Sequence, residues 1–121
     1  MNLKDNEKRR LKRIIRTRKN ISGTAEKPRL AVHRSLRQIY AQMIDDAKGV
    51  TVCCASSLSP EIKESIKGKK KSEQATMVGL KLAEIAKGFG VTKVVFDRHG
   101  YLYHGRIKSL AEGCRKGGLE F

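Results

Sequence analysis

Residues 29–56 read RLAVHRSLRQIYAQMIDDAKGVTVCCAS, and their alternation decides the fold. Leu30 and Val32 share one face of Arg29–Arg34, and Ile39, Ala41 and Met43 share one face of the run from Gln38 to Asp45. That is the two-residue period of strands with one buried side. Ser35-Leu36-Arg37 leaves room only for a short hairpin loop. Asp45-Asp46-Ala47-Lys48-Gly49 makes a second turn, with Gly49 as its left-handed residue, and Val50 to Ser56 supplies a third strand. The three strands are predicted to form a meander.

Beyond it the period changes to that of helices. Ser59-Pro60-Glu61 combines an N-cap, a first-turn proline and an acid near the positive helix end, which predicts a short helix broken at Gly68-Lys69-Lys70-Lys71. Ser72 is predicted to cap a longer helix whose apolar stripe is Ala75, Val78, Gly79, Leu82, Ile85, Ala86 and Phe89, ended by Gly88 and Gly90. Lys93 to Asp97 is long enough for a buried strand and too short for a helix. A last helix from about Arg106 turns Ile107, Leu110, Ala111 and Cys114 inward and stops at Gly117-Gly118. The predicted class is α/β, a βββαβα mixed sheet with helices packed on it. Because strand–helix–strand crossovers are right-handed, the fourth strand is expected parallel to the first, in the order 3-2-1-4.

Upstream of Pro28 the chain is an arm of charge. Its first nineteen residues hold nine basic side chains (Lys4, Lys8, Arg9, Arg10, Lys12, Arg13, Arg16, Arg18 and Lys19) against Asp5 and Glu7. Such an arm calls for a polyanion, because Lys and Arg that replace condensed counterions on a phosphate backbone release them to solution. Leu11, Ile14 and Ile15 have helical spacing, but the i, i+4 pairs Lys8–Lys12, Arg9–Arg13 and Lys12–Arg16 repel by roughly 0.2–0.5 kcal/mol each. Residues 1–27 are therefore expected to be disordered or only partly helical when free and to order on a polyanion, with 28–121 as a single domain. Eleven basic and three acidic residues give residues 1–29 a charge of +8, leaving +7 of the total +15 for the rest. The body is basic too.

No run approaches the 18 or so apolar residues of a membrane span, and Met1-Asn2-Leu3-Lys4-Asp5 leads into charge, so an intracellular protein is expected. Cys53, Cys54 and Cys114 are odd in number and lack CxxC spacing, which predicts buried thiols and neither disulfides nor a zinc knuckle.

The most distinctive segment runs from Asp97 to Arg106, with Arg98, His99, Tyr101, Tyr103 and His104 ahead of a helix N-terminus. It suits phosphates and bases. For Tyr101 and Tyr103 packing on the domain edge weighs as much as RNA contact, whereas for Arg98 and Arg106 the functional reading is favoured.

These residues also carry a family resemblance. Phe96-Asp97-Arg98, Gly100-Tyr101, Tyr103-His104-Gly105-Arg106, Leu110-Ala111 and Gly118-Leu119-Glu120-Phe121 resemble the bacterial large-subunit ribosomal protein family number eighteen. Pro28-Arg29-Leu30, Val32, Arg34-Ser35, Ile39-Tyr40-Ala41-Gln42 and Asp45-Asp46 are similar to its first half, so the resemblance covers nearly the whole chain. The departures are His33, His99 and Gly113-Cys114. The resemblance implies a ribonuclease H-like topology and a structural constituent of the large subunit that binds 5S rRNA and helps attach it to 23S rRNA in the central protuberance, beside neighbouring ribosomal proteins in the cytoplasm. Carried onto this chain, the RNA contacts would be Lys8, Arg9, Arg10, Lys12, Arg13, Arg16, Arg18 and Lys19 of the arm, Arg29, Arg34, Ser35, Arg37, Tyr40 and Gln42 of the hairpin, and Arg98, Tyr103, His104 and Arg106 of the loop. Tyr40 and Tyr103 would stack on bases or riboses, and Ser35, Gln42 and His104 would bond to 2′-hydroxyl or phosphate oxygens. The plain alternatives are that Arg34 and Arg37 are solvated charges beside a turn and that Tyr40 is a half-buried strand residue.

Enzyme readings are weaker. Gly100 and Gly105 approximate P-loop spacing, but Arg106-Ile107 stands where Lys and then Ser or Thr must reach the phosphates and Mg²⁺. A ribonuclease H-like nuclease needs clustered carboxylates for two metal ions, and Asp45 and Asp46 are expected far from Asp97, with no acid in the first strand. His99, His104 and Cys114 make a weak metal set. A membrane-surface arm would need more than three aliphatic residues on its apolar face. The expected protein is a non-enzymatic RNA-binding one without cofactor, metal or small-molecule substrate.

Overall fold

The computed structural model describes residues 5–20, 22–99, 101 and 103–121; for residues 6, 17–20 and 61 it describes the backbone alone. The elements are α1 (Asp5–Asn20), β1 (Arg29–Arg34), β2 (Ile39–Asp45), β3 (Val50–Ser56), α2 (Pro60–Lys63), α3 (Lys71–Gly88), β4 (Val95–Asp97) and α4 (Arg106–Lys116). The sheet order is β3-β2-β1-β4, with β1 antiparallel to β2 and parallel to β4, as the crossover argument predicts. Leu30, Val32, Ile39, Ala41, Met43, Cys53 and Ala55 form the inner face and share one core with α3 and α4. The opposite face, bearing Ala31, His33, Tyr40 and Gln42, is partly or wholly exposed.

Helices α3 and α4 approach backbone to backbone. A Cβ on Gly79 would meet the carbonyl oxygen of Leu110, and one on Gly113 would meet that of Thr76. Gly79→Ala is therefore expected to cost about 1–3 kcal/mol, the usual penalty of overpacking, read as a lower midpoint in urea at unchanged slope.

Several boundaries differ from expectation. Ser59 sits at the N-cap of α2, but its hydroxyl accepts from the Ser56 N–H and makes no cap bond, and α2 has a single turn. The N-cap position of α3 is Lys70, not Ser72: the backbone reverses at Gly68 (φ 80°), and Lys71 begins the helix with its ammonium on the Leu36 carbonyl. Phe89 leaves the predicted stripe and is 62 % exposed, because α3 ends before the turn that would have carried it inward. Val91 is buried in its stead, its N–H on the Ala86 carbonyl. Strand β4 is shorter than predicted because Val94 donates instead to the Glu120 carbonyl, beside a parallel bridge from Lys93 to Glu120. That contact seats the chain end, with Leu119 buried and Phe121 stacked on Phe96.

Cys53 and Cys114 are buried as expected, but Cys54 is exposed, because it pairs with Gln42 on the uncovered face of the sheet. Burial pushes the Cys53 thiol up to about 11 and the Cys114 thiol up to about 12. The thiolate is the reactive species, so an alkylating reagent at about pH 8 is expected to modify Cys54 in the native protein. Cys53 and Cys114 should follow only on denaturation, which a mass measurement counts directly.

The arm is helical over Asp5–Asn20. Of its three aliphatic residues Ile14 is buried, at 7 % exposure, while Leu11 and Ile15 stay exposed. Burial of Ile14, with the Arg10 guanidinium over the Tyr101 ring, sets tertiary packing against the like-charge repulsion of an isolated arm. Its link to the body is pinned at Gly23, whose N–H donates to Asp46 Oδ2 at 2.7 Å and whose carbonyl accepts from the Asp46 N–H. A side chain on Gly23 would collide with the Arg29 nitrogen and the Ile44 oxygen.

Candidate nucleic-acid interface

Arm, hairpin and loop meet on one ring. Asp97 ends β4 and its Oδ1 accepts the His99 N–H, turning the chain through a left-handed His99 (φ 54°) so that Tyr101 lies over the hairpin. The Tyr101 hydroxyl donates to the Arg34 carbonyl at 3.1 Å. Arg10 of α1 lies 4.4 Å from the centre of the Tyr101 ring and Arg34 of β1 4.9 Å from it. Arg106, the first residue of α4, reaches the same hairpin and donates to the carbonyls of Ser35 and Gln38, both at 2.8 Å. Cation–π contacts of this kind are worth about 0.5–1 kcal/mol each at exposed sites. Their consequence is geometric: three basic segments separated in sequence present one surface.

The predicted contacts divide into exposed and committed side chains. Lys8, Arg9, Lys12 and Arg16 are exposed on α1, and Arg13 is half-buried. Arg34, Ser35, Arg37 and Gln42 are exposed around the hairpin, and Tyr40 is half-buried on the sheet. In the loop His104 is exposed and Arg98 half-buried. Tyr103 accepts from Arg115 Nη1 at 3.0 Å and sets its ring edge-on to Phe96, which is the packing reading of that residue. Ser35 Oγ accepts the Gln38 N–H and shapes the turn. Arg18 and Lys19 side chains and the P-loop-like Gly100 lie outside the described residues.

Two arginines turn inward. Arg29 is 8 % exposed, with Nε and Nη2 on the Asp46 carboxylate at 3.0 Å and Nη1 on Asp97 at 2.8 Å. Its hydrogen bonds to Asp46 raise its pKa further, against the effect of burial. Arg106 clamps backbone carbonyls of the hairpin, and burial, with Arg34 close by, lowers its pKa. Both organise the surface from beneath.

Asp46 and Asp97, expected far apart from their places in the chain, both reach the Arg29 guanidinium, because β4 lies alongside β1. The positive charge between them is an arginine, not a metal ion. Asp45 Oδ1 accepts the N–H groups of Ala47 and Lys48 and builds the turn, as its position suggests. No group of three His, Cys, Asp or Glu arranged to hold a metal ion occurs among the described residues.

Sequence reasoning missed the lysines beside the hairpin tip. Lys69, Lys70 and Lys71 signal only a helix break, but Lys71 binds the hairpin at Leu36. A groove of about 280 Å³ between the hairpin and α2 is lined by Arg37, Lys63 and Lys67 among others. The run of three lysines was the available signal, and only the fold places Lys71 on the hairpin.

A family model described as ribosomal L18 of archaea, bacteria, mitochondria and chloroplast matches residues 4–121. The chain belongs to this family. Relatives named large ribosomal subunit protein uL18 include one from Desulforudis audaxviator, 55 % identical over all of this chain and 99 % of its own length. One from Caldicellulosiruptor saccharolyticus is 58 % identical over 96 % of this chain and 93 % of its own, and one from Staphylococcus aureus 56 % identical over 97 % and 96 %. Membership makes the chain a structural constituent of the large ribosomal subunit, with ribosomal RNA and ribosomal proteins as its surroundings, and not an enzyme. Its place is the ribosome, a cytoplasmic particle in bacteria. No described helix is long and apolar enough to cross a membrane.

Proposed function

We propose that this family member binds 5S rRNA and helps attach it to 23S rRNA in the central protuberance. The observation that carries the reading is the stacking of Arg10 and Arg34 about Tyr101, which aligns arm, hairpin and loop as one basic surface. In this reading Lys8, Arg9, Lys12, Arg16, Arg34, Arg37 and Arg98 pair with phosphates, and Ser35 and His104 meet 2′-hydroxyl or phosphate oxygens. Arg29 and Arg106 hold the surface in shape. Residues 1–27 act as the arm and 28–121 as the domain that selects the RNA, with α1 stabilised by the phosphates that cancel its internal repulsion.

Binding to 5S rRNA and to a tRNA of similar length, measured across a salt series, tests this. The expected result is a preference for 5S rRNA that persists as salt rises, on a steep common dependence from counterion release. Equal affinity for the two RNAs, or a nearly flat dependence on salt, would refute it.

A further inference from the structure

On the face of the sheet away from α3 and α4 lies a cavity of about 460 Å³, within the range of small-ligand sites. Its origin is one small residue. Ala31 pairs with Gln42 across β1 and β2, while the larger pairs His33–Tyr40 and Arg29–Ile44 stand on either side. The floor is thus low and the walls high. The loop after β4 closes the remaining side with His99, whose ring meets that of His33 edge-on at 4.3 Å. Burial and the nearby Arg10 lower the pKa of His33, which favours a neutral imidazole with one accepting nitrogen.

The lining has the chemistry of a base site. Tyr40 and the two imidazoles offer flat faces and edges for stacking. The Gln42 amide and the Tyr40 hydroxyl have no hydrogen-bond partner among the described residues, so both can address a ligand edge. Gln pairs by two hydrogen bonds with N6 and N7 of adenine, an edge pyrimidines lack. Arg10, close enough to His33 to lower its pKa, suits a phosphate that flanks such a base.

We propose that this cavity receives one unpaired nucleobase of the bound RNA, adenine in preference to a pyrimidine, above the Ala31–Gln42 floor and against the wall formed by Tyr40, His33 and His99. This rests on the RNA-binding reading above and names a contact within it.

The full chain would be titrated with a short oligoadenylate, the matching oligouridylate and an abasic strand of the same length, following side-chain amide and imidazole resonances by NMR. Oligoadenylate is expected to shift Gln42, His33 and His99 and to bind most tightly. Ala31→Leu, which raises the floor without removing a polar group, should weaken oligoadenylate by about fivefold to a hundredfold, the span of losing one stacked base, and leave the abasic strand unaffected. Gln42→Ala should erase the preference for adenine and serves if the leucine variant does not fold. An abasic strand that binds as tightly and shifts the same resonances would overturn the proposal, as would oligouridylate binding equally well. A native chain that prefers 5S rRNA over tRNA while both variants bind every strand as the native chain does would sink the base site alone. Loss of the 5S preference in the native chain would instead sink the reading beneath it.

Discussion

Deleting residues 1–20 is expected to weaken RNA binding by about a hundredfold at roughly 0.15 M salt and to flatten its salt dependence. For each phosphate contact, log K changes by about 0.9 per decade of salt, so over the roughly 0.8 decade between 1 M and 0.15 M three lost pairings already amount to about two decades of affinity. The arm has more than three cations to offer: Lys8, Arg9, Lys12 and Arg16 are all exposed on α1. The loss should fall on both 5S rRNA and tRNA, so the ratio between them is partly retained. That outcome assigns affinity to the arm and choice to the body. Binding that survives the deletion unchanged would show that the arm does not touch the RNA. Complete loss of discrimination would place recognition in the arm, through the contact of Arg10 with Tyr101.

Arg29→Met is expected to destabilise the fold by about 3–5 kcal/mol, the cost of removing one partner from a buried ion pair. Asp97 is fully buried, and the substitution takes the guanidinium from its Oδ2 while also releasing Asp46 from its two-pronged contact. Much of the penalty is the buried negative charge left behind, so adding Asp97→Asn should recover part of the loss. Urea unfolding of the two single variants and the double variant measures this. The same protein separates the two roles of Arg29. A phosphate contact would lower the salt slope by about 0.9 with little change in stability, whereas a residue that organises the sheet does the reverse. Unchanged stability with a shallower slope would return Arg29 to the RNA surface.

Part of the candidate interface was legible in the chain because charge is a local property. The basic arm and the hairpin residues Arg34 and Arg37 could be read by counting, and their side chains are exposed. Arg29 and Arg106 carry the same charge, but counting does not show where their side chains are held. Arg29 meets Asp97 across 68 positions of sequence and Arg106 meets Gln38 across another 68, and only those meetings reveal that each arginine faces inward. Tyr101 was undecidable for a similar reason: its role depends on Arg10 and Arg34, which approach it from two other segments.

By itself the sequence determined the strand periods of residues 29–56, the helical stripe on α4, the 3-2-1-4 order and the family, because these follow from spacings within a segment and from chain-connection rules. Tertiary structure alone decided that Asp46 and Asp97 converge on Arg29, that Phe89 faces solvent, and that Ala31 floors a cavity walled by two histidines. Periodicity tells which way a side chain leaves its own backbone; what stands opposite is set by the packing of remote segments, and a buried charge or an open cavity exists only once they arrive.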